Sequence, residues 1–336
     1  MLSYTIVLRQ ETRLVFFRRT RVSAGTQTAL FLYLSHRIRL HGFSFLGSKT
    51  DFRSSKPGMK VIQQPCTSQY EVGVGRHFPP EKPDILFKLI SNLMVGVIIN
   101  PAIYVFMNLL NRTRVSGRKN IWGLKPPWIL ASNHLTLLDD LFIEPVILFP
   151  QIYFGYRYIP YHAPEERNFY RRRLISWFMR QSKSIPVVRG KGLNQIGVDR
   201  LIEAVKDGGI LHIYPEGTRS RSGDIGSAKP GVGRIVQETG VPVVPVYHQG
   251  LEQVLPIGAG FPKIGKEIRI SIGKPIRFDT AIEPGRELQR WKEISEEILE
   301  AIREQQQVAI RRWGFRPTRP AEELETFGKK PHLKKS

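Results

Sequence analysis

The chain has 336 residues, a formal net charge of +22 and a pI near 10.3. That length holds one large α/β domain or two small ones. The excess of cations points to an anionic partner: nucleic acid, an anionic membrane surface or a phosphorylated substrate. Cys66 is the single cysteine, which excludes an internal disulfide and a cysteine-based metal centre.

Residues 1–83 read as an arm and linker. Up to Lys49 the only acid is Glu11, set against Arg9, Arg13, Arg18, Arg19, Arg21, Arg37, Arg39 and Lys49. An acid-poor amino end of this kind resembles an organellar transit segment. The other reading of these residues is a disordered basic arm, or residues upstream of the natural start; the expected location is a membrane, mitochondrial first, with a plastid or another membrane as alternatives. The apolar patches Leu14–Phe17 and Ala29–Leu34 are too short to span a bilayer. Residues 50–83 carry Pro, Gly and Gln and read as linker.

Residues 84–111 form a hydrophobic segment expected to associate with a membrane. Leu89–Leu110 contains no Lys, Arg, Asp or Glu and is flanked by Lys88 and Arg112. Ser91, Asn92, Asn100 and Asn108 interrupt it, and Pro101 removes a helical hydrogen bond in its middle. This pattern predicts a kinked helix pair dipping into one leaflet rather than a clean span.

A globular domain follows over 112–310, ahead of a basic tail at 311–336. Trp128–Ser132 predicts a buried strand that hands over at Asn133-His134 to a helix. A neutral imidazole takes a proton from a hydroxyl, and a neighbouring carboxylate fixes its tautomer. Asp139 stands five residues beyond His134. The two can meet only if His134 precedes the first helical turn and Asp139 lies inside it. Otherwise Asp139 and Asp140 are helix-start acids favoured by the macrodipole, and His134 is incidental.

Tyr153–Tyr156 predicts a second strand, and residues 165–182 a helix mixing arginines with Trp177, Phe178 and Met179, read as an ordinary amphipathic helix with a solvated basic face or as one resting on a membrane interface. Ile185–Gly190 reads as a short strand ending in Arg189, whose planar fork suits a phosphate. Val198, Leu201, Ile202 and Val205 mark a helix over Gln195–Lys206 that stops at Gly208-Gly209. Ile210–Tyr214 reads as a central strand running into Pro215-Glu216-Gly217-Thr218-Arg219-Ser220. Open α/β sheets bind ligands at such strand ends. Gly217 allows close backbone approach, and Arg219 supplies a second phosphate-binding fork.

His212 is expected in the core and His248 as a structural histidine at a strand end. Lys229–Arg234 reads either as a turn into a helix or as an anion-binding turn. Lys266–Ile272 alternates as a strand. Leu288, Trp291, Ser295, Ile298 and Ile302, with Ile294, mark the apolar side of a carboxyl-terminal helix.

Four stretches in order carry a family resemblance: Asn133-His134 with Asp139 (an HX4D motif), Ile185–Arg189, Tyr214–Ser220 and Val241–Val246. They resemble the four blocks of the PlsC-like glycerol-phosphate and lysophospholipid acyltransferase family, over roughly residues 112–278. The likeness is closest to the tafazzin branch, through Asn111–Gly117, Gly231–Arg234, Tyr247–Pro256 and Ile272–Pro275.

The resemblance implies an α/β fold with a single central β-sheet flanked by helices. It implies His134 as general base, Asp139 as its support, and Glu216, Gly217, Thr218, Arg219 and Arg189 as substrate-binding residues. It implies transfer of a fatty acyl group to the free glycerol hydroxyl of a lysophospholipid or lysophosphatidic acid, with no metal and no cofactor. The implied partners are a phospholipid membrane, a lysophospholipid acceptor and an acyl donor. Acyl-CoA, acyl carrier protein and phospholipid all stay open as donors, since Thr218-Arg219-Ser220 follows the acyl-CoA-using enzymes. Backbone amides near the helix start after His134 are the expected oxyanion donors. The competing class is a non-catalytic basic lipid- or nucleic-acid-binding protein. A hydrolase is disfavoured by the lack of a Gly-x-Ser-x-Gly elbow.

Overall fold

The computed structural model describes residues 7–10, 13–16, 44–45, 78–188, 190 and 192–314. The chain divides into two units, Met1–Pro65 and Cys66–Ser336. In the first, β1 (Val7–Gln10) pairs antiparallel with β2 (Arg13–Phe16) and with β3 (Ser44–Phe45). Cys66, Arg189, the Ala29–Leu34 patch and residues 315–336 lie outside the described residues.

The second unit is built on a six-stranded mixed sheet. Its strands are β4 (Arg112–Ser116), β5 (Trp128–Ser132), β6 (Tyr161–His162), β7 (Ile210–Ile213), β8 (Val243–Gln249) and β9 (Glu267–Ile272). They run in the order β4-β9-β8-β5-β7-β6. Strands β8, β5, β7 and β6 are mutually parallel, and β9 is antiparallel to β8. Every residue of β5 and β8 is buried, as parallel strands covered on both faces require.

Alternation sorts the side chains into two layers. Ile129, Ala131, Leu211 and Val243 face one core with α4 (Ile196–Lys206), α5 (Pro230–Thr239) and α6 (Glu287–Trp313). Trp128, Leu130, Ile210, Val244 and Val246 face the other with α2 (Asp139–Ile147). Burying each such aliphatic side chain contributes roughly 1.5–3 kcal/mol. The sheet flanked by helices is the α/β architecture expected from sequence.

Several local expectations are corrected. The hydrophobic segment is one continuous helix, α1 (Ile85–Leu110), not a kinked pair. The wider π-type turns of Asn92–Ile99, just before Pro101, absorb the missing donor without breaking the helix. Tyr153–Tyr156 is no strand: it links two 3-10 turns, Gln151–Tyr153 and Tyr156–Tyr158, across Gly155 at φ 116°. Its rings pack on neighbouring elements instead, Tyr156 against Phe87 of α1 and Tyr153 against Phe149.

Residues 165–182 are two helices, Glu166–Phe169 and α3 (Arg173–Gln181). The buried Tyr170 hydroxyl, donating to the Ser184 carbonyl, pins the break. Around Pro186, which lacks an N–H, the described residues of Ile185–Gly190 pair through one bridge, Val187 to Glu165, next to another from Ser184 to His162. In α6 the apolar side is set further along the helix than expected. Leu288 is exposed, while Ile294, Ser295, Ile298, Leu299, Ala301, Ile302 and Ala309 are buried.

Helices α5 and α6 touch through Gly233, whose amide donates to Ser295 Oγ at 3.0 Å. A Cβ at Gly233 would run into the Trp291 carbonyl. Gly233→Ala is therefore expected to destabilise the domain by about 1–3 kcal/mol through overpacking. A denaturant midpoint equal to that of the parent protein would rule out this close packing.

Candidate active site

Strands β5 and β7 are parallel neighbours, so the loops leaving their carboxyl ends lie side by side. The β5 loop carries Asn133 and His134; the β7 loop carries Tyr214–Ser220. His134 Nδ1 lies 2.9 Å from Asp139 Oδ2. Asp139 is the first residue of α2, which is the placement that the five-residue spacing demands.

The Asp139 carboxylate is fully buried and collects further donors from the loop it closes. The Leu135 amide donates to it at 2.6 Å, the Thr136 amide at 2.9 Å and the Thr136 hydroxyl at 2.6 Å. Burial alone raises a carboxyl; here His248, His134 and the Thr136 hydroxyl outweigh it and bring Asp139 down to about 2. A carboxylate can only accept, so His134 Nδ1 is the protonated nitrogen and Nε2 keeps its lone pair. The Leu135 and Thr136 amides, the nearest of the expected oxyanion donors, are thus already taken by Asp139.

The β7 loop holds the backbone of His134. Glu216 Oε1 accepts the His134 amide at 3.0 Å, and the Ser220 amide donates to the His134 carbonyl at 2.8 Å. The other oxygen of Glu216 accepts the Gly226 amide at 2.8 Å. Burial raises the Glu216 carboxyl, only partly offset by those two amides. Gly217 closes the turn onto the Tyr214 carbonyl at φ 63°, a conformation that costs a residue with a Cβ. Thr218 and Arg219 are exposed at this rim, while Arg189 lies outside the described residues.

Sequence reasoning gives Tyr214 no part beyond its motif position and takes His248 as a structural histidine at a strand end; both are neighbours of His134 or its loop. The Tyr214 ring stacks on the His134 imidazole, with centroids 3.9 Å apart and planes 12° apart. On the β8 side, Asn133 Nδ2 donates to the His248 carbonyl, and the His248 amide donates to Asn133 Oδ1, both at 2.9 Å. His248 Nε2 donates to the Asn133 carbonyl at 2.7 Å, and burial lowers the pKa of this ring. The register Ser132↔Val246 is the signal that would have placed His248 beside Asn133, but pairing partners are not written in a single sequence.

A second buried acid lies further along α2. Glu144 Oε1 accepts from His162 Nε2 at 2.8 Å and from His212 Nδ1 at 2.7 Å. His162 Nδ1 also donates, to the Ser182 carbonyl at 3.1 Å, so this imidazole carries both protons. His212 Nε2 lies 2.9 Å from Ser132 Oγ. Burial lowers His162, but Glu144 more than offsets it and lifts the ring to about 9. Glu144, raised by burial, is brought down by the two histidines to about 2.

The residues that pair His134 with Asp139 fall inside a known domain model. The model described as Acyltransferase matches residues 112–249. "Taffazin" of Dictyostelium discoideum is 32% identical over 212 residues, covering 60% of this chain and 73% of that protein. The chain belongs to the acyltransferase family.

Another relative of this acyltransferase is the Brassica napus protein named 1-acyl-sn-glycerol-3-phosphate acyltransferase BAT2, chloroplastic. It is 30% identical over 166 residues, which cover 49% of this chain and 45% of that protein. The chain therefore spans less than half of that relative's length. Among solved structures, the 1-acyl-sn-glycerophosphate acyltransferase PlsC of Thermotoga maritima aligns at a TM-score of 0.46 and 20% identity. That alignment covers 71% of this chain and 93% of PlsC.

The Glu144–His162 pair gives this acyltransferase a pH signature. The raised His162 contributes stability that is fully present below its ordinary value of 6.5 and is lost as pH climbs through about 9. The lowered Glu144 contributes above 4.5 and is lost as pH falls through about 2. Between pH 6.5 and 9 the thermal midpoint of the parent protein is expected to fall further than that of His162→Gln. Parallel slopes would show that His162 is not held as a cation.

Proposed function

We propose that the chain transfers a fatty acyl group to the free glycerol hydroxyl of a lysophospholipid or lysophosphatidic acid at a membrane surface. The observation that carries this is the His134 Nδ1–Asp139 hydrogen bond at the mouth of paired strand-end loops, which leaves Nε2 free. His134 Nε2 accepts the acceptor's hydroxyl proton as that oxygen attacks the acyl carbonyl. The imidazolium that forms is held by Asp139 and faced by the Tyr214 ring. Collapse of the tetrahedral intermediate returns the proton from Nε2 to the departing thiol or lysolipid hydroxyl.

The acceptor's phosphate suits the exposed Arg219 fork, with Arg189 as a second candidate. Glu216, with both oxygens on backbone amides, serves in this reading to hold the His134 loop. Both a thioester and an intact phospholipid satisfy the same proton accounting as donors.

The membrane enters through α1. Its inward face carries Ser91, Val95, Gly96, Asn100 and Met107, while Leu86, Leu89, Leu93, Val97, Val105 and Leu109 are exposed. Its outward face is thus the more apolar one. At 26 residues the helix is about 39 Å long, enough to cross a bilayer. It nevertheless touches the domain from end to end, meeting α3 near its start, α2 further along and β4 at its close. A helix packed lengthwise on a globular body enters one leaflet from the side. The acid-poor amino end and the relative named chloroplastic support an organellar membrane, mitochondrial or plastid.

Incubation with labelled lysolipid, supplied with acyl-CoA in one arm and phospholipid in the other, tests the reaction and identifies the donor. His134→Ala is expected to reduce turnover by about 10²- to 10⁴-fold. Its fold should persist, because Glu216 and Ser220 hold the backbone of that residue rather than its ring. Undiminished turnover by a folded His134→Ala protein would remove the imidazole from the reaction.

A further inference from the structure

We propose that α3 is a second lipid-contacting element, seated on the anionic phospholipid headgroups of the leaflet that α1 enters. The inference rests on the membrane reading of α1 and adds a separate surface to it. Helix α3 is built inside out for a protein in water. Its buried residues are the polar Ser176 and Gln181. Its large apolar residues face outward: Leu174 is 77% exposed, Trp177 45% and Ile175 39%. Nothing in the domain's own packing accounts for three such side chains on a helix of nine residues.

Charge says what covers them. Arg171, Arg172 and Arg173 are all exposed, and none forms an ion pair with an acid among the described residues. The first turn of α3 contains no acid. Cations at a helix amino end oppose the macrodipole, so these arginines do not serve the helix. A guanidinium cluster beside outward Leu and Trp side chains matches an anionic headgroup layer with acyl chains beneath it. Trp suits that boundary, with an apolar body and a polar N–H.

Position completes the case. Ser91 Oγ of α1 donates to the Gln181 carbonyl of α3 at 2.5 Å, which fixes the two helices together. Phe154, 70% exposed, lies one residue from the turn whose Tyr156 packs on Phe87 of α1. Phe154 thus adds another exposed apolar side chain beside an element packed on α1.

The test uses the full chain with vesicles of phosphatidylcholine alone or mixed with phosphatidylglycerol. The triple variant Arg171→Gln, Arg172→Gln, Arg173→Gln is expected to lose about a hundredfold in affinity for the anionic vesicles at low salt. Its binding to neutral vesicles should be unchanged, and the difference should shrink as salt rises. Brominated lipid should quench tryptophan emission in the parent protein, and Trp177→Phe should remove part of that quenching. Unchanged anionic affinity in the triple variant, or quenching indifferent to Trp177, would overturn the proposal. So would loss of binding to duplex nucleic acid with vesicle affinity intact. Acylation of detergent-dispersed lysolipid should persist in all these variants, because α3 lies outside the reacting groups. Absence of that activity in the parent would defeat the acyl-transfer reading while leaving the vesicle result to stand or fall alone.

Discussion

A carboxylate with no access to water sets the terms for the rest of this domain. Burying an unpaired anion costs several kcal/mol even after the protein relaxes. Asp139 meets that cost with the His134 ring, the Leu135 and Thr136 amides and the Thr136 hydroxyl. Hydrogen bonds to a charged group contribute roughly 1.5–3 kcal/mol each, so four together outweigh the desolvation. All four donors come from residues 134–136, which forces the chain to wind around the carboxylate before α2 begins. The five-residue spacing is the length of that winding. The neighbouring strands then hold the loop from both sides: Glu216 and Ser220 grip His134 from β7, and His248 grips Asn133 from β8.

Helix α2 carries a second buried acid, and the two hold their histidines differently. Glu144 faces a doubly protonated His162 and His212, each with both ring nitrogens engaged. That cluster is closed: every proton has an owner and no lone pair faces a substrate. Asp139 also holds an imidazole, but the His134 side chain is 15% exposed and its Nε2 is unengaged. The same acid–histidine pairing has both ring nitrogens occupied at Glu144 and one open at Asp139, the difference on which the proposed reaction rests. His212 links the two, since its Nε2 holds Ser132, the last residue of the strand that delivers His134.

Much of this was legible in the chain because it is local. The run Trp128–Ser132 fixes a buried strand by its apolar character. The gap between His134 and Asp139 fixes a geometric condition that the fold meets at 2.9 Å. Pro215-Glu216-Gly217 marks a strand end with a left-handed turn, and Gly217 adopts φ 63°. What stayed hidden depends on non-local pairing. Nothing near His162 in sequence announces that Glu144 will meet it across α2 and the sheet edge. Tyr153–Tyr156 alternates like a strand, but the rings are drawn to α1 and Phe149, and that tertiary attraction overrides local preference. Pro101 argues for a kink until the π-type turns before it are known. Glu216 reads as a ligand-binding acid in a polar loop; only the register of β5 against β7 turns it towards backbone amides.

One short helix links α1 to the His134–Asp139 pair. Phe106 of α1 stacks on Phe142 of α2 with centroids 6.0 Å apart. Phe142 lies three residues from Asp139, a rise of about 4.5 Å along α2. A substrate with long acyl chains pays heavily for leaving the hydrocarbon, roughly 0.8 kcal/mol per methylene exposed. An enzyme working on such a molecule gains by keeping its base within reach of the interface, so that the glycerol portion moves while the chains stay in lipid. Helix α1 and the helix that carries Asp139 are packed ring on ring. Under the proposed function, membrane seating of α1 and the alignment of His134 are therefore one mechanical problem rather than two.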